Sequence, residues 1–364
     1  MQWKTVVLTI LIVSLCFFAV PIRIGPNNNS DQELKLFKSY VVRFNKSYRH
    51  NPNEYDKRFQ RFQRSLRHIN KMNEMRTSEN SAYYGLTQFS DLSEEEFLKL
   101  HLRPDISVRG AKHVISPHYH SHHSDESMSL SRVTVRLKRT INNEIPIKFD
   151  WRTKNLITPV KAQGTCGACW AFSTIEVAET MFAIKNGSLT SFSVQEMIDC
   201  AGNGNLGCDG GDICSLLNWL LKAKIKIFPE ISYPLTRRTD QCKFNKTVSK
   251  TEGIKITEFT CDNFVGAEDE LLNSIATHGP VAAAVNALSW QNYLGGVIQF
   301  HCDGAFSNLN HAVQIVGYDN SAPTPFYIVR NSWGTFFGDN GYLYISIGNN
   351  MCGIANQVSS IDVI

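Results

Sequence analysis

The sequence predicts an α+β protein of two lobes, one helical and one rich in strands, behind a separate helical N-terminal segment. Three observations carry that expectation. A helical pattern over about residues 168–185 is headed by Cys169, short β-branched and aromatic runs recur at 281–285, 312–318, 326–330 and 341–347, and amphipathic stripes cover about residues 31–75.

In the first of these, Trp170, Phe172, Ile175, Ala178, Met181 and Phe182 recur at roughly helical spacing, and Asn186-Gly187 supplies a stop. Cys169 therefore falls in the first turn, where unpaired N–H groups and the positive end of the helix dipole favour a thiolate over a thiol. The Cys-x-x-Cys run of Cys166 and Cys169 also admits a redox dithiol or half of a zinc site. Both fit less well, because no second pair of ligands at short spacing lies nearby and Trp170 follows the cysteines instead of preceding them.

A chain of 364 residues, 43% hydrophobic and 19% charged, can bury one large core or two moderate ones, which excludes a disordered protein. The apolar run 6–20 behind Lys4 has the length of a secretory h-region and is too short to span a bilayer, so residues 1–20 read as a signal peptide. Nine of the ten cysteines lie after residue 165, which fits an oxidising compartment, and an odd number leaves one free. Sequons at Asn28, Asn45, Asn186 and Asn245 fit the same route. The net charge of +4 hides an asymmetry: up to Glu144 there are 22 Lys and Arg against 14 Asp and Glu (+8), and from Ile145 onward 15 against 19 (−4), so the two parts should attract. The basic charges are dispersed along helices with no recognition motif, which argues against nucleic acid as a partner.

Along the chain, Leu34, Phe37, Tyr40, Val41 and Phe44 mark one helical face, and Glu54, Arg58, Phe62, Ile69 and Asn73 share the stripe of a second helix. Beyond about residue 104 the apolar pattern fades into a polar tether with His113, His118, His120, His122, His123 and the run Arg136-Leu137-Lys138-Arg139; Pro146 ends it. Ser193, with Glu196 three residues on, marks a helix start. Cys200 and the loop Gly207-Cys208-Asp209-Gly210-Gly211 follow, whose adjacent glycines let backbone approach a ligand. In the β-rich part, Asn310-His311-Ala312-Val313 opens one run and Arg330-Asn331-Ser332-Trp333-Gly334 closes another. A cysteine at a helix mouth needs a base, and the base needs an orienting amide or carboxylate. His311 lies 142 residues after Cys169, and Asn331 follows 20 later.

These residues resemble the papain family of cysteine proteases, in preproenzyme form and over the whole chain. Glu54-x3-Arg58-x3-Phe62-x2-Ser65-x3-Ile69-x3-Asn73 is similar to the interspersed pattern of that family's proregion, with Ser65 in place of Asn, and residues 85–91 are similar to the short motif after it, with Thr87 in place of Asn. Phe149-Asp150-Trp151-Arg152 resembles the opening of a mature enzyme. The resemblance implies a signal peptide (1–20), a helical inhibitor-type proregion (21–110), a His-rich and dibasic linker (111–144) and a papain-like two-lobed peptidase (145–364).

It implies roles as well. Cys169 is the nucleophile, His311 its base and ion-pair partner, Asn331 the orienting amide and Gln163 an oxyanion donor, while Trp333 shields the His311–Asn331 bond. Gly210, Gly211, Ile213, Ala284, Leu309 and Gln357 join Trp333 as substrate-binding residues, with Gln357 as the floor of the pocket for the P2 side chain. The implied bridges are Cys166–Cys208, Cys200–Cys242 and Cys302–Cys352; Cys214 and Cys261 are left over, paired or not. No metal and no organic cofactor is implied. Expected partners are protein and peptide substrates, the chain's own proregion and cystatin-type inhibitors, for a lysosomal or secreted monomer. The rival reading is a binding protein, such as a dead protease, which would lack one of Cys169, His311, Asn331 or Gln163; none is missing.

Overall fold

A computed structural model of the chain describes residues 30–103, 145–243 and 253–364. The leader, the linker histidines, the run 136–139 and the sequons Asn28 and Asn245 lie outside the described residues. Among those described, no helix is long and apolar enough to cross a membrane.

The N-terminal segment folds as two helices and a short third. Helix α1 (Ser30–Arg43) and helix α2 (Pro52–Glu74) close on a small aromatic core of Phe37, Tyr40, Val41, Phe62 and Leu66. The Asn51 side chain caps α2 by accepting from the Glu54 N–H. The stripe on α2 is more than an amphipathic face. Arg58 donates to Glu54 at 2.6 Å and to Glu96 at 3.2 Å, and Asn73 exchanges two hydrogen bonds with the Tyr84 backbone. Strand β1 (Tyr83–Tyr84) and helix α3 (Glu94–His101), which opens on a Ser93/Glu96 capping box, then carry the chain onto the second lobe.

Helix α4 (Cys169–Asn186) ends as expected on Gly187 in the left-handed region. It is a central helix and not a half-buried one. Nearly its whole surface is covered, including Glu176 and Glu179, because the opposite lobe packs along it. Helix α5 (Val194–Cys200) starts at Ser193, whose hydroxyl accepts from the Glu196 N–H, but the expected capping pair closes on one side only. The Glu196 carboxylate instead accepts from the Phe228 N–H at 2.8 Å, and burial pushes this carboxyl up to about 8. Helix α6 (Ile213–Ala223) completes the helical lobe.

The other lobe is built on a mixed sheet in which β4 (Val281–Val285), β7 (His311–Asp319), β8 (Phe326–Arg330) and β9 (Tyr342–Ser346) are antiparallel neighbours, with β2 (Lys148–Asp150) paired to β7 and β6 (Val297–Ile298) parallel to β9, while β3 (Ile256–Phe259) belongs to a separate two-stranded sheet. All four runs read from the sequence are strands. Because β7 runs away from His311 while β8 returns to Arg330, with Gln314 opposite Arg330, the register brings His311 and Asn331 to one end of the sheet.

Four disulfides close the peptidase: Cys166–Cys208, Cys200–Cys242, Cys302–Cys352 and Cys214–Cys261. The pair left open by the sequence is therefore bridged, with Cα atoms 6.1 Å apart, and Cys169 is the free cysteine among the described residues.

The N-terminal segment adds β1 to β5 (Tyr293–Gly295) as an antiparallel strand. Its apolar face, with Ile69, Met72, Tyr84, Phe89, Phe97 and Leu102, is continuous with the core around Trp290, Tyr293 and Trp333.

Candidate active site

Cys169 and His311 are both fully buried, on elements from different lobes. A hydrogen bond from the backbone of Ala312 to the Cys169 thiol puts the sulfur beside the residue that follows His311. The His311 Nε2 atom lies 2.8 Å from Asn331 Oδ1, and that same oxygen accepts from the Ser332 N–H at 2.8 Å. The second contact fixes the chemistry. A backbone N–H can only donate, so the Asn331 atom is the amide oxygen, His311 must donate through Nε2–H, and a neutral ring keeps its lone pair on Nδ1. His311 Nδ1 has no hydrogen-bond partner, which leaves it free to accept a proton.

Aromatic rings enclose this bond. The Trp333 ring centroid lies 4.8 Å from that of His311, and Trp290 approaches edge-on at 6.1 Å. Gln163 is fully buried, donates to the Cys166 carbonyl at 3.0 Å, and accepts from the Ser332 hydroxyl at 2.5 Å, so its amide group is oriented from both sides. The Gln163 N–H also donates to the Ser332 carbonyl, tying this donor to the segment that carries Asn331.

Burial dominates the electrostatics. It pushes the Cys169 thiol up to about 11, against the opposing pull of the Ala312 backbone, Arg103 and the helix-mouth N–H groups. It also pushes the His311 imidazole down to about 4, against the bond to Asn331. The thiolate expected from helix position is therefore overridden in this covered state, where both members of the pair are held neutral.

The cover is the N-terminal segment. His101 packs at a tilt against Phe89 with ring centroids 4.5 Å apart, and its Nδ1 lies 3.1 Å from the carbonyl of Gly164, next to Gln163. The Arg103 N–H donates to the Asn310 carbonyl at 2.6 Å, and its guanidinium donates to the Cys208 carbonyl at 2.7 Å, lying across Gly167.

Of the expected substrate contacts, Ile213, Ala284 and Leu309 join one buried apolar cluster with Cys169. Gln357 is fully buried as well, but it is not an unattached amide. Its Nε2 donates to Asp212 Oδ2 at 2.6 Å, which leaves Oε1 without a partner. Gly210 has φ +112°, where a side chain would be strained, and a Cβ on Gly211 would stand 2.5 Å from the Trp170 indole. The second glycine thus makes room for a core ring as well as for any ligand.

Sequence reasoning did not single out Trp290, Ser332, His101, Arg103 or Asp212 for these places. Ser332 and Asp212 are direct neighbours of chosen residues, so position was the available signal. His101 and Arg103 carry none, since their role comes from where α3 ends.

This chain belongs to the papain family of cysteine proteases: residues 145–361 match "Papain family cysteine protease", and residues 37–97 match "Cathepsin propeptide inhibitor domain (I29)". It is a cysteine-type peptidase made as a proenzyme, with its own proregion as intramolecular inhibitor. Among curated relatives, human "Cathepsin O" is 40% identical over 287 residues, covering 79% of this chain and 82% of that protein. Among solved structures, the proform of the ragweed pollen cysteine protease Amb a 11 superposes with a TM-score of 0.75 at 29% identity, covering 92% of this chain and 95% of that one. Digestive procathepsin L 3 of Tenebrio molitor gives 0.72 at 29%, covering 91% and 99%.

Proposed function

We propose that the chain is an endopeptidase in which the Cys169 thiolate attacks a peptide carbonyl. Once uncovered, the Cys169 thiol passes its proton to His311 Nδ1; His311 gives that proton to the leaving amine as the acyl-enzyme forms and then takes one from the water that hydrolyses it, Asn331 holds the imidazole, and Gln163 with the Cys169 N–H receives the oxyanion. The observation that carries this reading is the Ser332 N–H on Asn331 Oδ1, since it leaves His311 only one atom with which to act as base. One oxyanion donor contributes about 2.7–4 kcal/mol in other proteases. Trp333 and Trp290 keep water from the His311–Asn331 bond.

Ile213, Ala284 and Leu309 form the walls and Gln357 the floor of the pocket for the P2 side chain, with Gly210 and Gly211 beside the substrate backbone. Apolar walls favour aliphatic or aromatic P2 residues. The floor offers an acceptor, because the amide nitrogen is turned to Asp212 and the Cys214 sulfur, so polar P2 residues are tolerated as donors. Arg brings little gain.

Removal of a proregion ending in the linker leaves a mature chain near 145–364, consistent with the peptidase match that starts at 145. Entry to the secretory pathway, glycosylation at exposed Asn45 and Asn186, a lysosomal or secreted location, a monomeric state, inhibition by cystatin-type proteins and the absence of cofactor and nucleic-acid partners belong to the same reading.

Labelling acid-processed protein with a thiol-directed peptide probe tests it. One equivalent of label on Cys169, lost together with hydrolysis in Cys169→Ala, is the expected result; hydrolysis that survives the substitution overturns the reading.

A further inference from the structure

Four segments from distant parts of the chain must meet to build the site, and one buried polar cluster touches all four. On α4, two turns beyond Cys169, the Glu176 carboxylate lies 3.4 Å from Arg330 Nη2, with both side chains almost wholly buried. Arg330 immediately precedes Asn331. Its guanidinium donates to the Pro159 carbonyl at 2.6 Å, to the Thr158 hydroxyl at 3.2 Å and to Gln314 Oε1 at 3.2 Å. Gln314 stands three residues after His311 and donates through Nε2 to the Glu176 carbonyl at 3.0 Å and to the Thr180 hydroxyl at 3.3 Å. Thr158 and Lys161, just before Gln163, both donate to Glu179 on α4, at 2.5 and 2.8 Å.

We infer that Gln314, Arg330, Glu176, Glu179, Thr158 and Lys161 form a positioning hub. It fixes the nucleophile helix against the strands of His311 and Asn331 and the segment of Gln163, and so sets the sulfur–imidazole approach on which the ion pair depends. Geometry supports this in two ways. Each hub member sits one to ten residues from a catalytic position on a regular element or the short segment before Gln163, so a shift at the hub is a shift at the site. Each buried carboxylate also faces a cation that comes from another segment, Glu176 facing Arg330 and Glu179 facing Lys161, which reaches Glu230 at 2.9 Å as well, so these pairings require one relative placement of the lobes. Buried ion pairs are weak evidence for stability, since well-packed apolar groups often replace them without loss; specifying a single arrangement is their better-attested use. Burial, with Glu179 nearby, pushes the Glu176 carboxyl up to about 7 against the opposing pull of Arg330.

The inference rests on the assignment of Cys169, His311, Asn331 and Gln163 made above. Its test compares acid-processed wild type with Gln314→Met, Arg330→Met and Arg330→Lys, each normalised to the titrated active thiol. For Gln314→Met the hub predicts a fall in kcat of about tenfold with KM within twofold on an internally quenched peptide, and an acid limb of Cys169 alkylation by iodoacetamide displaced by about one pH unit toward that of an isolated thiol. Arg330→Lys should restore most of the kcat lost in Arg330→Met. Should the larger changes abolish folding, Thr180→Val removes one Gln314 partner at nearly constant volume and is expected to move the alkylation profile in the same direction by a smaller amount. Variants that lose thermal stability while kcat and the alkylation profile stay at wild-type values overturn the hub. Wild type that shows no alkylation at Cys169 overturns the underlying assignment instead.

Discussion

Between the two lobes, Arg330, Lys161, Glu176 and Glu179 are buried as paired charges, whereas the seam between proregion and peptidase is made of rings and of hydrogen bonds without an ion pair among the described residues, its one charged donor named above being the Arg103 guanidinium on the Cys208 carbonyl. Phe89 and Phe97 meet Trp333 edge-on at 5.4 Å each, β1 pairs with β5, and Gln291 donates to the carbonyls of Phe89 and Leu92. The ion pairs Lys46–Asp91, Arg58–Glu54, Arg58–Glu96 and Arg61–Glu96 are internal to the proregion. The opposite net charges of the two parts thus act at long range, while the described close contacts pair no cation with an anion across the seam. A permanent seam tolerates charges that need exact partners, because it never has to be rewetted. A removable one does better with groups that can part without stranding a charge, and whose peptidase side, Trp290 and Trp333, stays beside the site afterwards.

The largest effect that would break this comparison lies in the permanent seam. Arg330→Met strands the Glu176 carboxylate, and breaking a buried pair from one side costs about 3–5 kcal/mol. The midpoint of urea unfolding of the proenzyme should fall accordingly, and a loss below about 1 kcal/mol would mean that the hub charges are solvated in solution.

Next in size is Phe97→Ala in the removable seam. The ring is fully buried against Trp333 and His101, and its loss should cost about 3 kcal/mol. Here the cost falls on docking, so processing at near-neutral pH should accelerate while kcat of the mature enzyme is untouched. Equal processing rates for the variant and the parent would show that the aromatic contacts do not hold the cover.

How much of this could be read in advance divides along the same line. Cys169, His311 and Asn331 could be picked out as candidates because family-like motifs surround each of them, at a helix mouth, a strand start and a strand end; the helix mouth alone would have suggested only Cys169. The β8 run at 326–330 was found to the residue, since its pattern is set by burial on one sheet. Glu176 and Glu179 were not singled out, because only tertiary packing reveals that α4 has no polar face. Likewise Cys214–Cys261 follows from where α6 lies relative to the chain near Ile256, which spacing does not encode.

A smaller effect should come from His101, the imidazole of the cover that, among the described residues, reaches the site. Burial, with Lys46 and Arg103 nearby, holds its imidazole down to about 4, while the Gly164 carbonyl and Asp91 pull the other way and His311 lies opposite. A histidine whose docked pKa lies below its ordinary value of about 6.5 contributes to docking fully above pH 6.5. That contribution is lost as pH falls through the range from 6.5 toward 4, amounting to about 2 kcal/mol at pH 5. His101→Gln keeps a donor for Gly164 and cannot charge, so the pH midpoint of processing should move to lower values. An unchanged midpoint would remove His101 from acid release and point to groups elsewhere, such as the linker histidines.

The smallest expected effect tests the departure at Thr87. Its hydroxyl donates to the Gln291 carbonyl at 2.5 Å and accepts from the Phe89 N–H at 3.2 Å, so one group both crosses the seam and closes the local turn. The adjacent Ser90 hydroxyl accepts from the Thr87 N–H and donates to Asn292, which doubles the crossing. Threonine therefore does two jobs that an amide side chain could also perform, one with each end. Thr87→Val removes both bonds at constant shape and should weaken docking by about 1 kcal/mol, the usual net worth of such a bond, raising the processing rate at fixed pH about fivefold. Thr87→Asn, with a donor and an acceptor on one planar group, should process at close to the parental rate. If Thr87→Val is as slow to process as the parent, the neutral hydrogen bonds of the removable seam contribute nothing net, and its hold on the peptidase rests on the rings alone.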